Sequence, residues 1–199
     1  MTAFPRSFML MALLFTLGLS ACVNIGTKPP GMLLSLSPAA ALAAGAGASG
    51  LLADAIVVLE PSADARIAVL RVPVQVDDAA VAYLKGVQWV ERPSRQFQHL
   101  LADTLRARSK ALVIEFDQNP AALKIGGRLL AMGYEARSRS AVVRFDAVKF
   151  LPGGKNATRR FENAVQGIEP SGQEIGPALN RAANAVVSDV ADWVASSAG

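Results

Sequence analysis

The sequence predicts an α+β fold, a single domain in which a mostly antiparallel or mixed β-sheet packs against two amphipathic α-helices. Two observations carry this prediction. Short segments rich in β-branched residues fill much of the chain from residue 32 to residue 166, and Pro, Gly and Asp separate them. Two longer segments, about 93–108 and 174–196, repeat apolar residues every three or four positions, which is typical of a helix with one buried face.

The first half of the domain is predicted to be extended. Candidate strands cover residues 32–37, 55–60, 66–76 and 81–90. Pro73 interrupts the third strand, and because proline lacks the N–H that a central ladder needs, we expect a break or bulge there. Between the first two strands, residues 39–53 are almost all Ala, Gly, Ser and Leu. A mobile loop is favoured over a poorly held helix, since glycine opposes helix formation.

The period of the pattern changes at Pro93, which sits where the first turn of a helix tolerates proline. The apolar stripe of the helix 93–108 consists of Phe97, Leu100, Leu101 and Leu105. A strand at 110–116, a hairpin formed by 123–135 and 140–150, and a strand at 158–166 follow. The closing helix from Glu174 is expected to cover one face of the sheet, with Trp193 as the largest buried group near its end.

The start of the chain has the order of a secretory signal peptide. Arg6 precedes an uncharged apolar run of about twelve residues, and small residues then lead to Cys22, the only cysteine. A helix that spans a bilayer needs about twenty apolar residues, so removal of residues 1–21 is favoured over anchoring by this segment. The predicted cleavage lies between Ala21 and Cys22.

The four residues 19–22, Leu-Ser-Ala-Cys, resemble a bacterial lipobox, in which the cysteine is acylated and becomes the first residue of the mature protein. The alternative is an ordinary signal peptide that ends near a cysteine. Two or more acyl chains hold a protein stably at a membrane, so an acylated Cys22 needs no spanning helix. Residues 22–31 would then form a tether and residues 32–199 the domain. Val23 is not the aspartate that retains such lipoproteins in the inner membrane, which implies the periplasmic face of the outer membrane.

Composition and motifs argue against several function classes. The formal net charge of +4 is mild and the basic residues are scattered, which argues against nucleic acid as a partner. His99 is the only histidine, so histidine-based zinc sites and catalytic triads lack their residues, and no metal or cofactor is expected.

Other candidate sites also lack the surroundings that chemistry requires. Asp77-Asp78 lies in a predicted turn, and Asp189 and Asp192 lie on a predicted helix surface, so neither pair suits general acid and base catalysis. The glycine pairs at 126–127 and 153–154 do not have the spacing of a phosphate-binding loop. We therefore expect a non-enzymatic protein with no catalytic residues.

Several short patterns follow one another across the chain: the lipobox, residues 34–38, residues 67–73, Tyr83-Leu84 with Trp89, Pro93 and the apolar stripe of the first helix, and residues 189–194. In this order they resemble the ABC-type transport auxiliary lipoproteins, the PqiC-like family. That family commonly has tyrosine at the position of Leu34.

The resemblance implies an auxiliary role beside an MCE-domain substrate-binding protein, a permease and an ATPase, in a system that moves phospholipid or another apolar molecule between membranes. Exposed strand edges or the segment from Trp89 to Pro93 would contact the partner, although Trp89 is favoured as a core residue. Homo-oligomerisation stays open. Two alternatives also stay open: a domain that itself carries lipid between sheet and closing helix, and a lipoprotein cofactor of envelope synthesis or lipopolysaccharide assembly.

Overall fold

The computed structural model describes residues 31–117 and 123–196. Nine strands and two α-helices lie within these ranges. The strands are β1 Met32–Leu34, β2 Ile56–Val58, β3 Ser62–Ala63, β4 Arg71–Gln75, β5 Val81–Trp89, β6 Val113–Ile114, β7 Leu123–Glu135, β8 Ser140–Phe150 and β9 Asn156–Val165. The helices are α1 Pro93–Arg108 and α2 Gly172–Ala195.

The long strand β7 is the centre of one mixed sheet. On one side β8 pairs with it antiparallel along nearly its whole length, and β9 pairs antiparallel with β8. On the other side β2, β3 and β4 pair with it in succession, all parallel. Beyond β4 come β5 and then β1, and β6 lies beyond β2. The strands β1 and β9 are therefore opposite edges of the sheet.

Both helices pack on one face of this sheet. Phe97 of α1 contacts Phe145 of β8, with ring centroids 4.9 Å apart, and α1 also contacts α2. The buried side of α2 includes Ile175, Leu179 and Val186, all fully buried. Burial of apolar side chains of this size contributes roughly 1.5–3 kcal/mol each. The α+β architecture with two helices on one sheet confirms the predicted fold class.

The predicted and observed boundaries of helices and strands agree best where the sequence pattern is long. The helix predicted at 93–108 and the strands predicted at 123–135 and 140–150 have those bounds in the structure. The expected irregularity at Pro73 is a register shift between Arg71 and Pro73. Within residues 39–53 the structure has a loop that ends in a short 3-10 turn, so the prediction that this segment is not an α-helix is confirmed.

Three segments differ from the predictions. Residues 66–70 are turns because Asp64 accepts hydrogen bonds from the N–H groups of Ile67 and Ala68, so this strand begins only at Arg71. The strand predicted at 110–116 is shorter in the structure, where only Val113–Ile114 form β6. The strand predicted at 32–37 ends at Leu34, because the backbone beyond it bonds to side chains of both helices. Trp193, expected to be buried, is only partly so.

Candidate functional site

The predicted anchor, Ala21 and Cys22, lies outside the described residues and stays a prediction. The described chain begins at Gly31 and enters the sheet at once through β1, an edge strand. None of the described helices is long and apolar enough to cross a membrane.

The predicted contact residues Trp89 and Pro93 are both buried. Trp89 ends β5, where only 1% of its surface is exposed, and Pro93 is buried at the first turn of α1. Trp89 is buried as its favoured core assignment expects, and neither side chain offers exposed area to a partner in this structure, so a contact through them stays an untested prediction. Trp89 belongs to the hydrophobic core, and Pro93 is buried where α1 begins.

The single histidine takes part in an ion-pair cluster at the surface. His99 Nδ1 bonds to a carboxylate oxygen of Glu115, and Arg106 Nη2 donates to the other carboxylate oxygen over 2.7 Å. Burial raises the pKa of Glu115, but the hydrogen bonds from Arg106 and His99 outweigh it and hold that pKa below its ordinary value. The cluster ties α1 to the segment after β6. In the described part of the chain no group of three His, Cys, Asp or Glu side chains could hold a metal.

A shallow groove of about 360 Å³ lies on the face of the sheet that carries no helix. Its floor includes Pro73, Gly133 and Val142, and its rim includes Arg66, Gln75, Asp78, Glu135, Arg137 and Arg144. Arg137 donates to Asp78 over 2.9 Å, and Arg66 donates to Gln75. Two of the cations at this groove are thus bonded to other side chains of its rim.

The edge strand β9 carries the most regular charge pattern on the same helix-free face. Arg160 donates from Nε and Nη2 to the two carboxylate oxygens of Asp146 on β8, over 2.6 and 2.7 Å. Beside this pair, Arg144 of β8 donates from Nη2 to Glu162 over 2.9 Å. These bonds lower the pKa of Asp146 and of Glu162 below their ordinary values. In the described ranges β9 pairs with β8 alone, so its outer edge is open.

The two sides of the β9 edge differ. On the helix side, Arg159, Phe161 and Trp193 line an open groove of about 540 Å³ together with Asp189 of α2. The rings of Phe161 and Trp193 lie 5.6 Å apart. The charge pairs of the helix-free face were not predicted, although residues 144–146 and 160–162 alternate in charge, and the register of β8 and β9 places opposite charges next to each other.

Comparison with known proteins identifies the fold. No family model matches the sequence, and no curated protein matches it. A solved structure of an uncharacterised protein superposes with a TM-score of 0.68 at 11% identity, over 84% of this chain and 99% of the other. The protein XCC0632 from Xanthomonas campestris, of family DUF330, superposes with a TM-score of 0.63 at 15% identity, over 84% of this chain and 93% of its own. The chain shares their fold. Identities this low establish the fold alone.

Proposed function

We propose that this protein is a periplasmic lipoprotein, anchored to the outer membrane through Cys22, that serves as a non-enzymatic auxiliary component of an MCE-type ABC system moving phospholipid or another apolar molecule. The sequence resemblance suggests the partners: an MCE-domain protein with its permease and ATPase. The fold shared with a DUF330 protein is compatible with this role.

The observation that carries the proposal is the place where the tether meets the fold. Gly31 follows Cys22 by nine positions and leads directly into β1. Nine residues reach at most about 30 Å when extended. Five strand spacings, about 24 Å, separate β1 from β9 across the sheet. An acyl anchor at Cys22 would therefore keep the β1 edge within about 30 Å of the membrane, and the β9 edge lies on the opposite side of the sheet from this tether.

The surroundings of the polar side chains support a contact role over a catalytic one. His99 and Glu115 are bound to each other and to Arg106, and the charged residues of β8 and β9 are bound across the strands. Such pairs fix the shape and charge of a surface. The proposal that the protein is not an enzyme rests on this arrangement.

The packing between sheet and α2 speaks against the alternative that the domain carries lipid there. Leu179, Val186 and Val190 of α2 are fully buried, and so are the facing Val143 and Phe145 of β8. A lipid chain between them would have to displace core side chains, at a cost similar to that of opening a cavity. The other alternative, a lipoprotein cofactor of envelope synthesis, would use the same exposed surfaces. Only the identity of the bound partner distinguishes it from the transport role.

The anchor is tested by fractionating cells that produce the full chain. Wild-type protein should be found in the outer membrane, Cys22→Ala should lose membrane association, and Val23→Asp should move to the inner membrane. Persistent outer-membrane association of Cys22→Ala would overturn the anchoring. Val23→Asp is the matched control, because it alters the destination and leaves the acylated cysteine in place.

The partner is tested by purifying the tagged, lipidated chain from membranes. Recovery of an MCE-domain protein with the wild type supports the transport role. Recovery of an envelope synthase in its place would favour the alternative.

A further inference from the structure

The outer edge of β9 exposes the backbone N–H and C=O groups of every second residue, and a hydrogen bond in the preceding turn shows which residues these are. In the turn between β8 and β9, the N–H of Leu151 donates to the carbonyl oxygen of Lys155 over 2.9 Å, so the polar groups of Lys155 point towards β8. Backbone groups alternate along a strand, and the register is regular from Asn156 to Val165. The N–H and C=O groups of even-numbered residues 156–164 therefore point outwards.

The charges on this edge complement their own image under a twofold rotation. On the helix-free face, Arg160 and Glu162 lie one on each side of Phe161 along the strand. When two such strands run antiparallel with Phe161 opposite Phe161, each Arg160 lies opposite the other strand's Glu162. In this register the outward-pointing groups of residues 160 and 162 face each other, as a hydrogen-bonded pair requires.

We propose that two copies of this chain pair antiparallel through β9, with Phe161 on the twofold axis. The inference goes beyond the proposed function and does not depend on it. Each row of charges then alternates in sign across four strands: Arg144 and Glu162 of one copy continue into Arg160 and Asp146 of the second copy. Opposite charges that face each other across strands stabilise a sheet, and like charges destabilise it.

The charge pattern also selects the register. A shift of one hydrogen-bonding step in one direction places Arg160 opposite Arg160 of the second copy, and a shift in the other direction places Glu162 opposite Glu162. Charged residues usually protect an edge strand from pairing. Here Arg160 and Glu162 disfavour pairing with a strand that places like charges opposite them. A second copy of β9 that runs antiparallel places opposite charges there.

The helix side of the interface has room for the second copy. Because α2 contacts both β8 and β9, it lies over the last two strands of the sheet, and the twofold would bring the two α2 helices to the same side of the joined sheet. The open groove lined by Arg159, Phe161 and Trp193 is the space that the second copy would fill.

Disulfide trapping in the envelope tests the register with the full, lipidated chain. In the proposed pairing, residues 159 and 163 of the two copies face each other as a non-hydrogen-bonded pair, whose side chains lie closest. Arg159→Cys with Asn163→Cys should form a covalent dimer on mild oxidation. The matched control, Arg159→Cys with Val165→Cys, fits the register that opposes Glu162 to Glu162 and should cross-link at least tenfold less. Preferential cross-linking of the control would overturn the proposal.

Sedimentation of the purified full chain in a non-ionic detergent tests the backbone pairing. Ala164→Pro removes an outward N–H and should raise the dimer dissociation constant at least tenfold, whereas Ala164→Ser keeps the N–H and should not. Proline is tolerated where an edge N–H faces outwards, and an unchanged melting temperature shows that β9 is intact. A monomeric wild type at all concentrations, or a dimer that Ala164→Pro leaves unchanged, would overturn the proposal.

Discussion

Asn184 of α2 binds the backbone on both sides of Pro38. Its Nδ2 donates to the carbonyl oxygen of Ser37 over 2.9 Å, and its Oδ1 accepts the N–H of Ala39 over 2.7 Å. Asn180, one turn earlier, accepts the N–H of Ser37 over 2.9 Å. These bonds replace the strand pairing that the backbone gives up after β1, so the chain crosses the helices with its polar groups satisfied.

Asn184→Ala should lower the free energy of unfolding by about 1–2 kcal/mol, because two backbone groups lose their side-chain partner while alanine favours the helix slightly. Urea denaturation measures this change. Arg181→Ala, at an exposed position of the same helix, is the control and should change stability by less than about 0.5 kcal/mol. Faster hydrogen exchange at the N–H of Ala39 should accompany the loss. Equal effects of both substitutions would contradict the prediction.

Gly127→Ala should destabilise the fold by at least about 2 kcal/mol. The φ angle of Gly127 is +139°, and an added Cβ would lie 2.0 Å from the carbonyl oxygen of Asp146 on β8, so the paired backbone must move. Gly50→Ala, where an added Cβ meets nothing within 4 Å, is the matched control. Thermal unfolding compares the two variants. A melting temperature of Gly127→Ala equal to that of the control would show that this contact is wrong.

The Glu115 cluster predicts a loss of stability in acid. The pKa of Glu115 is lower in the folded chain than its ordinary value of 4.5, so its contribution is complete above about pH 4.5 and is lost as pH falls through the folded pKa. Glu115→Gln should cost about 1 kcal/mol at pH 7 and reduce the slope of stability with pH below 4.5.

Urea unfolding of wild type and Glu115→Gln between pH 3 and pH 7 measures this difference. Asp189→Asn, which changes an exposed carboxylate of α2, is the control. Parallel pH profiles for wild type and Glu115→Gln would refute the role of the cluster.

Lys149 predicts that stability also rises with pH in the alkaline range. Its side chain is 1% exposed, its Nζ donates to the carbonyl oxygen of Trp193 over 3.0 Å, and burial lowers its pKa below the ordinary value of 10.5. The unfolded chain then binds more protons between the two pKa values, so stability contributed by this site rises with pH in the window below 10.5.

Lys149→Met keeps the packing of the aliphatic stem and removes the titration. Stability of the wild type relative to Lys149→Met should therefore increase from pH 7 to pH 10, as measured by urea unfolding. Lys155→Met, at an exposed turn position, is the control and should leave the slope unchanged. A constant difference between wild type and Lys149→Met would contradict the prediction.

The elements that the sequence located well are those whose local pattern is long. Residues 93–108 repeat apolar side chains at helical spacing, and 123–135 and 140–150 are long extended runs, so many residues agree on one conformation. The prediction of a strand over residues 66–70 was wrong. The carbonyl oxygen of Asp64 accepts the N–H groups of the turn that follows it, and this turn forms in spite of the β-branched composition.

The candidate site was harder to predict, because it depends on pairing between distant positions. Trp89 and Pro93 stood out as large or unusual residues, yet the same properties suit a core position. The ion pairs of Arg160 with Asp146 and of Arg144 with Glu162 become visible only when the register of β8 and β9 is known. Sequence alternation suggests two faces but does not say which strands are neighbours.

The sequence by itself determined the class of fold and the two helices, and it predicts a signal peptide that ends just before Cys22, because each depends on the chemistry of neighbouring residues. Tertiary structure alone decided that β1 and β9 form opposite edges, that Pro93 is buried, and that the backbone after β1 bonds to Asn180 and Asn184. Those features arise from contacts between residues far apart in the chain, and strand order and burial, which local periodicity does not encode, determine such contacts.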